Sequence, residues 1–518
     1  MLAVARLPPL MPACPWFRSS ARAALGLAIL ALAGCGSGVT SITTARWLVG
    51  QEEPRFDPTG PSDAVRWSLE RLLSEGLVAE DSSGRIVPAA ARRWDVTPDG
   101  LTYTFSLRPD LRFNDGRACT SADFRRALEA GLNRLDHAAY AWMLSSVVGV
   151  DQVRPGRPLP PLGIATPDDR TLVLRLARAD SSILRTLAFP GVSMAWAEGA
   201  GWKGGIGSYR LVLREPGRRM LLARRDPSDG PDTVRVEFSV NTARARASMR
   251  LGRVDLLWPV PAGALAQELP EEFRAVTGSA RPARRLWLVM RADLHPTRKI
   301  EARRALAHGL NRAEILNRLG ARASEAGDWL PGGAPFVFPS RDPGSVREWL
   351  QRGRFGRSLY VVMAYAADGA AAEVARAMQA EWADMALDVE LRPLRRAAFT
   401  AQALGGGGAQ LLLLEQQAAF DDPVAELARL VQPRRGPPVG DFRTGWSTRE
   451  FDRWVGPQPP DTLLDVEYAQ RRLGEELVAL PLAQISWLWV ERRGGVAITL
   501  HPRFGPGVAR RPILRLSK

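Results

Sequence analysis

A two-lobed α/β fold is predicted by three observations. The first half of the chain carries short strands with turn signals, the stretch after Arg285 alternates strands with helices, and strands return near the C-terminus. A length of 518 residues leaves room for two or three domains at about 100–200 residues each. A tail that returns to the first lobe makes two crossings between the lobes. Two crossings form a hinge, and hinged clefts are where small ligands bind.

In the first lobe, Arg46–Gly50 reads as a strand. Ala64–Leu77 has helical periodicity, with Leu69, Leu72 and Leu73 as its apolar stripe. Leu101–Leu107 alternates with period two, as a half-buried strand does. Thr120 precedes a helix from Ser121 to Leu132, with Asp123 at its third position as in a capping box. Thr171–Leu176 alternates again. Tyr209–Leu213 and Met220–Arg224 flank Glu215-Pro216-Gly217-Arg218, a hairpin signature, and Thr233–Val240 is a further strand.

The second lobe opens with the apolar strand Leu286–Met290. Lys299–Gly309 is helical, and Asn311 with Glu314 three residues on caps another helix. Leu359–Ala364, Ala371–Met385, Asp388–Leu391, Arg396–Leu404 and Gln410–Glu415 then alternate strand and helix, which argues for a largely parallel sheet. Val374, Met378, Trp382 and Met385 recur at helical spacing as a core stripe. Pro433–Gly445 is a loop rich in Pro, Gly and Arg. Asp461–Leu480 reads as mostly helix, and Ser486–Glu491 and Val496–Leu500 as the returning strands.

Ahead of the lobes, Leu32-Ala33-Gly34-Cys35 closes an apolar run from Ala23, behind Arg6, Arg18 and Arg22 and no acid. A basic start, an apolar centre and small residues at the cut describe a secretory signal peptide. The run is shorter than the ~17–25 residues needed to span a bilayer. Met11–Gly34 is itself a complete signal peptide, so Met1 and Met11 both stand as starts. The cysteine after Leu-Ala-Gly resembles a bacterial lipobox, in which the thiol is acylated and the chain is cut before it. This makes 1–34 the leader, Cys35 the lipidation candidate and 35–45 a tether.

Composition excludes several classes. The net charge of +15 comes almost wholly from Arg, the lysines being Lys203, Lys299 and Lys518. These arginines are interleaved with acids rather than gathered in a stripe, which fits a GC-rich genome better than a nucleic-acid partner. Of the cysteines, Cys14 falls in the leader and Cys35 is the acylation candidate. Cys119 is left alone, with no intramolecular disulfide to make. His137, His295, His308 and His501 show no metal-ligand spacing. No nucleophile elbow, phosphate-binding loop or His-Glu-x-x-His occurs, and Gly405–Gly408 lacks a following Gly-Lys-Ser/Thr. Asp421-Asp422 could pair as acid and base, but acids before Pro423 also suit a helix N-terminus. No enzyme, cofactor or metal is expected.

The stretch from Tyr103, YTFSLRPDLRFNDGRACTSADFRRAL, resembles a pattern Y-T-F-x-L-R, F-x-D-G, T-A-x-D-V. Phe56-Asp57-Pro58, Glu75-Gly76-Leu77, Val87-Pro88-Ala89 with Trp94, and Gly205–Tyr209 resemble further motifs in the same order. So do Arg303–Leu306 and Asn311-Arg312. The family is the extracellular solute-binding proteins of bacterial peptide/nickel ABC importers, family 5, and the resemblance covers Arg46 to Phe504. It implies a bilobal, periplasmic-binding-protein-like clamp (class II, three subdomains), with a β-rich first lobe and an α/β second lobe joined by two crossing strands. Lobe I would hold 46–284 with 490–518, and lobe II 285–489. Hinge residues would be Leu286, Trp287, Leu288, Trp487 and Leu488.

The resemblance also implies the partners: a small peptide or peptide-like solute, ABC permease subunits, and a membrane held through the lipid anchor, with the chain a monomer in the bacterial cell envelope. A sensor of the same fold without a transport role, or an exported hydrolase, are the alternatives. With Gly36 rather than Asp after the acylated Cys, inner and outer membranes both stay open. By analogy with peptide binders, an extended ligand would lie along Gly60, Pro61, Ser62 and Asp63. The opposite wall would come from Gln416, Gln417, Ala419, Phe420, Asp421 and Asp422. The family's W-G-A-D-Y-x-D-P, whose first Asp holds the peptide's α-ammonium group, maps without gaps onto Gln416–Pro423. Ala419 then replaces the anchoring Asp and Phe420 the Tyr. Burying an ammonium without a carboxylate costs several kcal/mol. Either Asp421 or Asp422 has taken over, or the ligand lacks a free amino terminus. Phe420 either packs on the ligand or fills the core.

Overall fold

A computed structural model of the protein describes residues 43–508 except 55–63, 134–140, 155–156, 181, 197–200, 226–229, 262–263, 266–267, 280–283, 327–328, 331–332, 334–336, 404–406, 418–422, 432–441, 443, 455–463 and 502–503. The chain divides into two units, Met1–Thr43 and Thr44–Lys518. Of the first, only Thr43 is described.

The second unit begins with β1 (Thr44–Val49), the small pair β2 (Val78–Glu80) and β3 (Ile86–Pro88), and then β4 (Ala91–Val96), β5 (Thr102–Leu107), β6 (Ile164–Asp168) and β7 (Thr171–Arg175). β8 (Tyr209–Glu215), β9 (Arg219–Arg224), β10 (Thr233–Phe238), β11 (Leu256–Leu257) and β12 (Phe273–Gly278) follow. Next come β13 (Arg284–Met290), β14 (Ala323–Ser324), β15 (Leu359–Ala366), β16 (Leu387–Leu394), β17 (Leu411–Gln417) and β18 (Ala479–Ile485). β19 (Trp487–Arg492), β20 (Ile498–His501) and β21 (Gly505–Val508) close the described chain.

These strands build three principal sheets: four-stranded β4-β5-β7-β6, seven-stranded β12-β19-β11-β1-β10-β9-β8, and six-stranded β14-β18-β13-β17-β15-β16. Each carries its own core. Phe105, Phe113, Phe124 and Leu128 lie in the first, and Trp47, Leu69, Leu73, Tyr209 and Val236 in the second. Trp287, Leu306, Val374, Met378, Trp382 and Met385 lie in the third. Fully burying a large apolar side chain contributes about 1.5–3 kcal/mol, so each layer helps to hold its sheet. The helical stripe Val374–Met385 is core, as its spacing predicts.

Local signals act where the sequence places them. Gly217 takes φ 70° and the Arg218 amide donates to the Glu215 carbonyl at 3.0 Å, which closes the β8–β9 hairpin. Asn311 accepts from the Glu314 amide at 3.2 Å. Asp123 accepts from the Thr120 amide at 2.8 Å, one half of the expected capping box. The Thr120 hydroxyl donates to the same carboxylate instead of capping the helix. The helix expected over Asp461–Leu480 runs only Val466–Glu476, capped by Asp465, and stops where Leu477 takes φ 52°. The apolar run after it is β18. Proline is tolerated in a sheet at bulges, and Pro481 sits where the β13–β18 register shifts.

The chain passes twice between the seven-stranded and six-stranded sheets. β12 ends at Gly278 and β13 starts at Arg284, so the first crossing is 279–283. The expected hinge residues Leu286, Trp287 and Leu288 are interior to β13, buried and paired on both sides by β17 and β18. Backbone held by two ladders has little freedom to turn, so the first crossing precedes them. Ser486 makes the second crossing, between β18 and β19. Trp487 and Leu488 already belong to the seven-stranded sheet, ahead of the expected boundary at residue 490.

Candidate ligand site where the two sheets meet

Strand directions locate the site. β1, β10 and β11 run parallel in the seven-stranded sheet, and β15, β16 and β17 in the six-stranded one. β19 runs against β11, with Leu257 opposite Val490, so β11 ends toward Trp487. β13 runs against β17, with Arg284 opposite Gln417, so β17 ends beside the first crossing. In both sheets the parallel strands therefore finish at the crossings. Ligands of open α/β sheets bind outside these carboxyl ends. One exposed ion pair reaches from one side to the other, Arg395 Nε to Glu52 Oε1 at 3.8 Å.

The six-stranded sheet presents a polar edge here. On one face, Arg284 pairs with Glu415, its diagonal neighbour across the antiparallel β13–β17 pair. The side chains are 16% and 21% exposed. Glu415 also accepts from the Ala370 amide at 2.5 Å, at the start of the Gly369–Ala383 helix. A helix N-terminus favours such a carboxylate. Gly369 has φ 78°, and a Cβ there would stand 2.7 Å from Glu415 Oε1, so both backbone and space require glycine. Arg396 pairs with Asp368 at 2.9 Å and Arg322 with Glu373 nearby.

Burial alone would raise the Glu415 carboxyl, but Arg284, the Ala370 amide, Arg322 and Arg396 hold it below its ordinary value. Burial pulls the Arg284 guanidinium below its ordinary value against the opposing pull of Glu415. Guanidinium stays charged in proteins, so the pair is ionic at neutral pH. On the other face of the sheet, buried Arg285 lies opposite buried Gln416 on one side and exposed Gln484 on the other.

Of the residues the sequence singles out, Gln416 is buried in β17 and Gln417 is the last residue of that strand. Ala419, Phe420, Asp421 and Asp422 lie outside the described residues, as do Gly60, Pro61, Ser62, Asp63 and Cys35. The chain enters the 418–422 stretch from β17 and leaves it at Pro423, the first residue of a helix. On the other side, Glu53 is pinned before residue 55 by Arg214 Nε at 2.6 Å and the Gly217 amide at 2.5 Å. Sequence reasoning missed Arg284, Glu415, Asp368 and Gly369. Their signal was charge at the end of an apolar strand, and Asp-Gly before a helix. Among the described residues no His, Cys, Asp and Glu group could hold a metal, and no helix is long and apolar enough to cross a membrane. Burial first, with Asp123 beside it, pushes the Cys119 thiol up to about 12, which leaves it unreactive.

Residues 85–437 match the bacterial extracellular solute-binding proteins, family 5 Middle. This is more than half of the chain, and the protein belongs to that family. It is a solute-binding protein and not an enzyme. The oligopeptide-binding protein OppA of Bacillus subtilis (strain 168) is 22% identical over 90% of this chain and 94% of its own length. The substrate-binding domain of an oligopeptide ABC transporter from Bacillus anthracis str. Ames superposes with a TM-score of 0.76 at 17% identity, covering 90% of this chain and 98% of that one. Haemophilus influenzae OppA in complex with RPPGFSPFR gives 0.73 at 18% identity, over 87% and 95%. The fold is the bilobal α/β fold of periplasmic binding proteins.

Proposed function

We propose that the protein is the lipid-anchored substrate-binding component of an ABC importer, capturing a peptide or peptide-like solute between its lobes for delivery to a membrane permease. The observation that carries this reading is the convergence of the carboxyl strand ends of both sheets on the two crossings. A relative matched over nearly its whole length, and named for oligopeptide binding, supports the substrate class. Lobe I runs to the 279–283 crossing and resumes after Ser486. The candidate binding segments are residues 60–63 and 416–422. Main-chain pairing gives affinity to an extended ligand, while pockets give specificity.

Glu415 does not replace the missing amine anchor, because Arg284 and the Ala370 amide already hold its carboxylate. A free α-ammonium group therefore contributes less to binding here than in relatives with Asp at the position of Ala419. Calorimetry with free and N-acetylated peptides tests this. The native protein should bind both forms within a few-fold, and Ala419→Asp should favour the free form. Tight binding that is lost on acetylation would place the anchor on Asp421 or Asp422. Loss of solute uptake on deleting the chain separates transport from sensing. Several acyl chains anchor stably where one does not, so Cys35→Ser should release the protein from membranes or block its processing. A normally cut, membrane-bound Cys35→Ser protein would refute the anchor.

A further inference from the structure

One residue stands beside both crossings. Arg284 is the first residue of β13, directly after the 279–283 crossing. Its guanidinium carbon lies 3.9 Å from the centroid of the Trp487 ring. Trp487 is the first residue of β19, directly after the Ser486 crossing. One Nη donates to the Ser486 carbonyl at 3.4 Å, and the other is held by Glu415. Glu415 is fixed in turn by the Ala370 amide, and stands directly before Gln416.

We propose that Arg284 is a positioning residue that couples the two crossings to the end of β17, so that the lobe angle and the β17 end at Gln416 and Gln417 move together. A planar guanidinium can stack on an indole and pair with a carboxylate at once, which an ammonium cannot. Cation–π attraction strengthens as the cation is desolvated, and Arg284 is largely withdrawn from water. Rotation of one sheet against the other must either slide the Trp487 ring off the guanidinium or carry Arg284 and Glu415 with it. A solute bearing on the end of β17 reaches the hinge by the same route in reverse. The coupling of the crossings stands without a ligand; only its consequence for capture rests on the binding reading above.

Amide hydrogen exchange on the unliganded full-length protein tests the coupling. Arg284→Lys keeps a cation for Glu415 and loses the planar stack. Exchange over 411–417 and over 484–490 should rise together, by about tenfold, while 102–107 and 121–133 stay unchanged. Trp487→Leu removes the ring, leaves the ion pair, and should loosen the same two segments. No rise, or a rise confined to one of the two segments, overturns the proposal. Should Arg284→Lys loosen the whole protein, Trp487→Leu decides alone. Failure to bind any peptide leaves these outcomes untouched, so the two readings fail separately.

Discussion

The two sheets bring opposite surfaces to the crossings. The seven-stranded sheet brings tryptophans: Trp47 stacks on Trp258 with centroids 5.9 Å apart, and Trp258 meets Trp487 edge-on at 5.6 Å. The Trp47 indole also donates to the Trp258 carbonyl at 2.8 Å. The six-stranded sheet brings charges, Arg284 with Glu415 on one face and Arg285 beside Gln416 on the other. Apolar contact is non-directional, so the aromatic edge contributes mainly by area removed from water. An ion pair is directional and its desolvation offsets most of its attraction, so the charged edge contributes mainly by fixing positions. The two meet where Arg284 covers Trp487.

This contrast predicts how each side breaks. Trp258→Ala should have the largest effect, about 3–5 kcal/mol, because a buried ring leaves a cavity. Urea denaturation measures it, and a loss below about 1 kcal/mol would show that the aromatic edge is not close-packed. Glu415→Ala should cost about 2–3 kcal/mol by leaving Arg284 withdrawn from water without its carboxylate. Replacing both partners, Arg284→Met with Glu415→Leu, should fall within about 1 kcal/mol of the native protein. A double variant as unstable as Glu415→Ala would mean that the charges contribute stability and not only position.

Acid should act selectively on the charged edge. The folded Glu415 carboxyl lies below its ordinary value of 4.5, so its contribution is present above that value and is lost as pH falls through the lower folded one. Thermal midpoints of the native protein and Glu415→Gln should therefore converge on acidification below 4.5; parallel curves would place the carboxyl at its ordinary value. The smallest effect belongs to the exposed Arg395–Glu52 pair. Glu52→Ala should change stability by less than about 1 kcal/mol, and added salt should erase the difference. A larger, salt-resistant loss would make this pair a true latch between the lobes.

Much of the architecture was legible in local pattern. Period-two alternation in Leu101–Leu107 and helical spacing in Val374–Met385 mark elements that bury one face, and burial of one face is a local property of sequence. Leu477–Leu480 reads as helix because a short apolar run carries no period, and because Pro481 argues against a strand unless a bulge is known. Sequence alone points to the apolar strands as the hinge because they flank the α/β segment. The ladders that immobilise Leu286–Leu288 join residues more than a hundred positions apart, Leu286 with Glu415 and Ala483, and nothing in their neighbourhood announces them.

The sequence by itself determined the family and most of the order of strands and helices. Each is written in contiguous residues. The tertiary structure decided which strands neighbour which, that both sheets end at the crossings, and that Arg284, Glu415, Ala370 and Trp487 stand together. Those four come from four separate elements. Their meeting depends on register and on strand order in the sheets, which are set by the packing of whole faces rather than by any local stretch of chain.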